Sequence, residues 1–120
     1  MATFVEMDDR VTLSTQMDQN IGPVILINEI SVDPENIEEF LKVWAKDANI
    51  MKQQPGFISA QLYRGIAGSC MFINYAVWES TDSYKRAFDN PDLSKLSDFP
   101  ANSVSPHLFE KVAVPGICVE

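Results

Sequence analysis

Apolar and polar positions alternate along this chain with two different periods, and the places where the period changes outline its elements. Residues Val24-Ile25-Leu26-Ile27-Asn28-Glu29-Ile30-Ser31-Val32 open as an apolar run and pass into alternation, as expected of a strand covered on one face and partly on the other. Asp33-Pro34-Glu35 predicts a helix start, because aspartate can cap free N–H groups, proline tolerates the first helical position and Glu35 complements the dipole. From Pro34 to Gln53 the period lengthens: Ile37, Phe40, Leu41, Trp44, Ala48 and Met51 recur at three-and-four spacing and form one stripe to be buried. Val43 and Ile50 lie off that stripe and make a second, weaker apolar face.

Pro55-Gly56 ends the helix, since proline withholds a donor and glycine supplies the backbone angles of a sharp reversal. Phe57 to Arg64 and Cys70 to Glu79 are dense in β-formers, with Gly65 to Ser69 as the hairpin loop between them. Ser80 offers its side chain to the N–H groups of a second helix, Asp82 to Phe88, which Asn90-Pro91 interrupts. A short helical piece follows at Asp92 to Ser97. Phe99-Pro100 and Ser105-Pro106 bound a loop, after which Leu108 to Val114 reads as a last strand closed by Pro115-Gly116. Residues 1–20 are polar and acid-biased and read as an N-terminal arm ahead of a single domain, 21–120.

Strand, helix, strand, strand, helix, strand is the ferredoxin-like α+β order, βαββαβ, with helices on one face of an antiparallel sheet. The strands carry large apolar groups on both parities: Met71, Ile73, Tyr75 and Val77 on one, Phe72, Ala76 and Trp78 on the other. Two helices cover one face only. A homodimer is therefore expected, packing the second face against an identical subunit.

Composition narrows the function classes. A chain of 120 residues with a net charge of −8 and scattered Lys and Arg has no patch to neutralise phosphates, so nucleic acid is excluded as a partner. The acidity reads chiefly as a solubility device and would mildly repel anionic substrates. Cys70 and Cys118 make no disulfide or metal pattern and are expected as reduced, buried thiols. The start lacks the basic and apolar regions of a secretory signal, and no apolar run approaches the ~20 residues that cross a bilayer, so no membrane partner and a cytoplasmic location are expected.

Phosphate loops, nucleophile triads, metal-ligand spacings and dinucleotide fingerprints are all missing from the sequence, and neither cofactor nor metal is expected. What remains suits a pocket for a planar, mostly apolar ligand. Asn28 interrupts an apolar run, where an amide is costly to bury without a partner; the competing reading is an outward-facing strand residue. Alternation puts Asn74 on the face of Phe72, Ala76 and Trp78, free either to meet a ligand or to satisfy nearby backbone. Trp44, Trp78, Phe72 and Tyr63 are substrate-binding candidates, though the periods also place Trp44 and Trp78 in the interior. His107, the single histidine, is the natural proton acceptor at neutral pH, or else an exposed loop residue. Tyr75, Tyr84 and Arg64 are secondary candidates for orienting a phenolate.

The first strand, the helix running into Gln54-Pro55-Gly56-Phe57, and Asn74-Tyr75-Ala76-Val77-Trp78-Glu79-Ser80 together resemble the antibiotic biosynthesis monooxygenase domain, a dimeric α/β barrel family. The tail from Ser105 to Cys118 is similar to that of family members. The resemblance implies the dimer, and an oxygenase without metal or flavin that acts with O₂ on a quinol- or anthrone-like aromatic. In members that act on haem or polyphenols, an asparagine at the place of Asn28 contributes to the site. The haem-degrading branch also needs a second-helix tryptophan and a following histidine, where this chain has Ala87 and Ser97. A noncatalytic dimeric domain that binds a small aromatic stays open beside the enzymatic readings.

Overall fold

The computed structural model describes residues 2–118. Its elements run β1 (Thr3–Phe4), α1 (Leu13–Met17), β2 (Val24–Ser31), α2 (Ile37–Met51), β3 (Phe57–Arg64), β4 (Met71–Trp78), α3 (Thr81–Phe88) and β5 (Ser103–Phe109), with short 3₁₀ turns at Pro34–Asn36 and Leu96–Asp98. The sheet order is β1-β5-β2-β4-β3, antiparallel except where β1 joins β5. From β2 onward this is the expected ferredoxin-like arrangement.

The start of α3 follows the sequence expectation, and the start of α2 departs from it: the α-helix begins at Ile37, after a 3₁₀ turn, and not at Pro34. Ser80 Oγ accepts from Ser83 N–H at 3.1 Å and caps α3. Asp33 instead precedes a 3₁₀ turn, and its carboxylate accepts from the Asn102 side chain at 2.8 Å. Along α2 the stripe holds at Phe40, which is fully buried, and fails at Leu41, which is 42% exposed. Val43 takes Leu41's place beside the core, because the helix leans its Phe40–Val43–Trp44 edge onto the sheet.

Two apolar clusters lie between the helices and the sheet. Phe40, Phe72 and Phe99 stack among Ile30, Val32 and Val104 at one end. Trp78, Tyr84, Val24, Leu26 and Leu108 pack with Leu13 of α1 at the other. Burying a side chain of that size contributes about 1.5–3 kcal/mol, so these clusters fix how the helices sit on the sheet.

The last strand is the main departure from expectation: it spans Ser103–Phe109 and not Leu108 to Val114. Pro106, whose missing N–H predicts a loop, costs no ladder bond. Val104 and Leu108 turn their backbone groups outward, toward Val5 and Gln16, and alternation puts the Pro106 nitrogen on that same outer edge. Beyond it, residues 110–118 are exposed and fold back through a bridge between Val114 and Cys118. Cys118 is exposed and Cys70 half-buried, against the expectation of two buried thiols.

The expected N-terminal arm is packed against the domain. β1 lies parallel to β5, Leu13 is buried under α3, and Lys85 of α3 donates to Asp18 at 2.8 Å. No helix of the described residues is long and apolar enough to cross a membrane.

Candidate active site

A cavity of about 590 Å³ opens between α2, the sheet and the segment that follows α3. Its floor is the helix-facing side of the sheet: Leu26, Asn28 and Ile30 from β2, Asn74, Ala76 and Trp78 from β4, Val104 and Pro106 from β5. One wall is α2, through Trp44, Asp47, Ala48 and Met51; the other is Tyr84, Phe88 and residues 90–96. The lining is overwhelmingly apolar, which is the character of a pocket for a flat organic molecule.

Asn28 and Asn74 stand directly opposite each other on adjacent strands in the middle of this floor. Glu29 is exposed on the other side of the sheet, which settles by alternation that Asn28 faces in. Asn28 Oδ1 accepts from Ser105 N–H at 2.8 Å. That bond orients the amide and leaves its Nδ2 donor as the uncommitted group. Asn74 Oδ1 is buried and has no hydrogen-bond partner, and the Trp78 Nε1–H donor is in the same condition. An unmade bond at a buried polar group costs roughly 1–3 kcal/mol, so half-buried Asn74, itself a residue of the cavity floor, marks a place where a ligand's polar edge would be rewarded.

The titratable groups at the cavity are few. Burial pushes the Tyr84 phenol above its ordinary range and keeps it protonated. Asp47 Oδ1 accepts from both the backbone N–H and the hydroxyl of Ser94, each at 3.2 Å, tying α2 to the opposite wall. Lys95 reaches the rim. Sequence reasoning missed Asp47 and Ser94. A signal for Asp47 existed, since it falls between Trp44, Ala48 and Met51 on the apolar stripe of α2; Ser94 gave none.

The other candidates divide. Trp44 and Trp78 line the cavity. Phe72 is buried one layer away, its ring 4.8 Å from that of Phe40, and does not border it. Tyr63 lies on the outermost strand, 55% exposed. Tyr75 and Arg64 are exposed, away from the cavity. His107 pairs with Ile27 and so belongs to the opposite face of the sheet. It is only 8% exposed there, packed edge-on against Phe109, with Nε2 at 3.1 Å from the Gln16 amide nitrogen. The structure brings Asn28, Asn74, Trp44 and Trp78 together and leaves His107 outside.

The family model described as antibiotic biosynthesis monooxygenase matches residues 23–97. A mycobilin-producing heme oxygenase of Mycobacterium tuberculosis is 29% identical over 83 residues, 69% of this chain and 79% of the relative. Deoxynogalonate monooxygenase of Streptomyces nogalater is 34% identical over 70 residues, 58% of this chain and 59% of its own. Among solved structures, the cofactor-independent oxygenase SnoaB of the same organism superposes with a TM-score of 0.70 at 24% identity, covering 80% of this chain and 99% of that one.

Proposed function

The chain belongs to the antibiotic biosynthesis monooxygenase family, and from that premise we propose that it oxygenates a quinol- or anthrone-like aromatic with O₂, without metal or flavin. The observation that carries this reading is the pair of facing amides, Asn28 and Asn74, in the floor of an otherwise apolar cavity, one of them with a buried oxygen lacking any partner. Relatives that include a deoxynogalonate monooxygenase support it.

In an anthrone-like substrate the reacting CH₂ is acidified by the adjacent aromatic carbonyl system. Loss of one proton to water at the mouth leaves an enolate, whose oxygen the Asn28 Nδ2–H donor stabilises. Asn74 Oδ1 accepts from a neighbouring phenol and fixes the ring in the cavity plane. The enolate passes one electron to O₂; the radical pair then joins carbon to oxygen, and the hydroperoxide loses water to give the ketone. The balance is one CH₂ plus O₂ to one C=O plus H₂O, with the substrate as the sole reductant. The protein supplies position, dryness and amide dipoles. His107 has no part in this scheme, because it lies across the sheet.

Metal-stripped protein is expected to accelerate O₂ uptake with a panel of anthrones and quinols, and Asn28→Ala and Asn74→Ala to abolish most of that acceleration. No acceleration by the unmodified protein would sink the enzymatic reading and leave a noncatalytic aromatic-binding domain. Haem as substrate has less support: no histidine or cysteine lines the cavity, so iron has no imidazole or thiolate ligand there. The open sheet face also supports a homodimer, and the composition a cytoplasmic site of action.

A further inference from the structure

The N-terminal segment lies ahead of the residues matched by the family model, yet it is bonded to β5, which contributes Val104 and Pro106 to the cavity floor. Val5 N–H donates to Val104 O at 2.9 Å, and Ser105 Oγ donates to Val5 O at 2.7 Å. On the far side of Pro106, the Gln16 side chain behaves as a strand residue: Leu108 N–H donates to Oε1 at 2.8 Å and Nε2 donates to Leu108 O at 2.9 Å. Residues 104–108 of β5 are thereby held on their outer edge at both ends, across a proline that offers no N–H donor of its own there. Ser105, inside that bracket, is the residue whose N–H holds Asn28 Oδ1.

We propose that Gln16 and the N-terminal segment position the Asn28 amide of the cavity, acting through β5 and Ser105. The segment touches no ligand. It fixes the height of the Ser105 N–H, which decides whether Asn28 presents its Nδ2 donor inward or swings free. This rests on the reading of the cavity as a binding site for an aromatic phenol, and its first test is independent of that reading.

Gln16→Met keeps the side chain's length and removes its polar end. In the full-length protein we expect the Ser105 amide to exchange at least tenfold faster with solvent and the Asn28 side-chain NH₂ resonances to move, with the far-UV spectrum unchanged. Ser105 exchange and Asn28 resonances that stay in place in folded Gln16→Met would overturn the proposal. Should Gln16→Met fail to fold, Gln16→Glu, which keeps the acceptor for Leu108 N–H and loses the donor, is read the same way. Affinity for 1,8-dihydroxyanthraquinone, a planar probe that cannot be oxygenated at a CH₂, is then compared in Gln16→Met, Asn28→Ala and the double variant. Equal losses that do not add support the positioning role, and additive losses contradict it. If the unmodified protein does not bind the probe, the aromatic reading falls while the amide measurements still decide whether Gln16 positions Asn28.

Discussion

Each face of the sheet buries a polar side chain with one unpartnered atom, and the surroundings give the two opposite meanings. Asn74, whose Oδ1 is buried without a partner, lines a cavity of about 590 Å³ with a second amide facing it. His107 Nδ1 is also without a partner, but its ring is closed in by Phe109 and by the Gln16 amide. Gln16 Oε1 is committed to Leu108 N–H, so its Nε2 is the atom that meets His107 Nε2, at 3.1 Å. An unsatisfied group beside empty space leaves a bond for something to make. The same group in packed surroundings is a cost the fold carries. The lesson is that a histidine's chemistry in isolation is a poorer guide than the space around it.

The largest expected effect tests the Asn74 side of this contrast. Asn74→Leu replaces an amide whose oxygen has no partner by an apolar group of similar size, so the protein is expected to gain about 1–3 kcal/mol in urea unfolding. The same variant should lose O₂ uptake. A stability gain with activity lost is the signature of a site built at the fold's expense, whereas a loss of stability would show that Asn74 belongs to the fold's own bonding.

Next in size is an alkaline effect on the same face. The Tyr84 phenol is raised above its ordinary 10.0 by burial alone, so the folded chain holds its proton where the unfolded chain has lost it. Below pH 10 this makes no difference to stability. Above it the unfolded state binds fewer protons, and stability should fall by about 1.4 kcal/mol per pH unit. Tyr84→Phe removes that increment, and the difference between the two unfolding profiles from pH 9.5 to 11 isolates it. Parallel profiles would mean that solvent reaches the phenol through the cavity.

Across the sheet, His107→Phe is expected to cost about 0.5–1.5 kcal/mol, the worth of its bond to Gln16, while O₂ uptake persists. Uptake lost together with an unchanged unfolding midpoint would restore the histidine to the chemistry and reverse the contrast between the faces.

How far the sequence carried these distinctions depends on what each residue's neighbours in the chain reveal. Asn28 and Asn74 were legible because alternation along a strand assigns a face, and an amide on the apolar parity stands out. Trp44 and Trp78 were legible for the same reason. His107 was not, because its face depends on the register of β5, and the proline beside it hid that strand. Only the outward bonds of Val104 and Leu108 show that Pro106 sits where no donor is needed. Gln16 and Ser105 were invisible for a deeper reason: their partners are 92 and 77 residues away, and no local period records such a pairing.

The smallest effect concerns the open face itself. Tyr75, Ile73, Met71, Ile58 and Phe109 are all at least 36% exposed there, an apolar surface that the described chain leaves uncovered. For an isolated chain, Tyr75→Ser should change stability by no more than about 0.5 kcal/mol, the ordinary scale of a surface substitution. If a second copy covers this face, the unfolding midpoint of the unmodified protein rises with protein concentration, because association stabilises the folded state by mass action. Tyr75→Ser then reduces that dependence while leaving the low-concentration midpoint alone. Measuring both proteins at about 1 and 100 µM, with light scattering at each, separates the two contributions. A midpoint independent of concentration in both would mean that the exposed tyrosine and isoleucines face water, and that the two faces differ in burial as well as in chemistry.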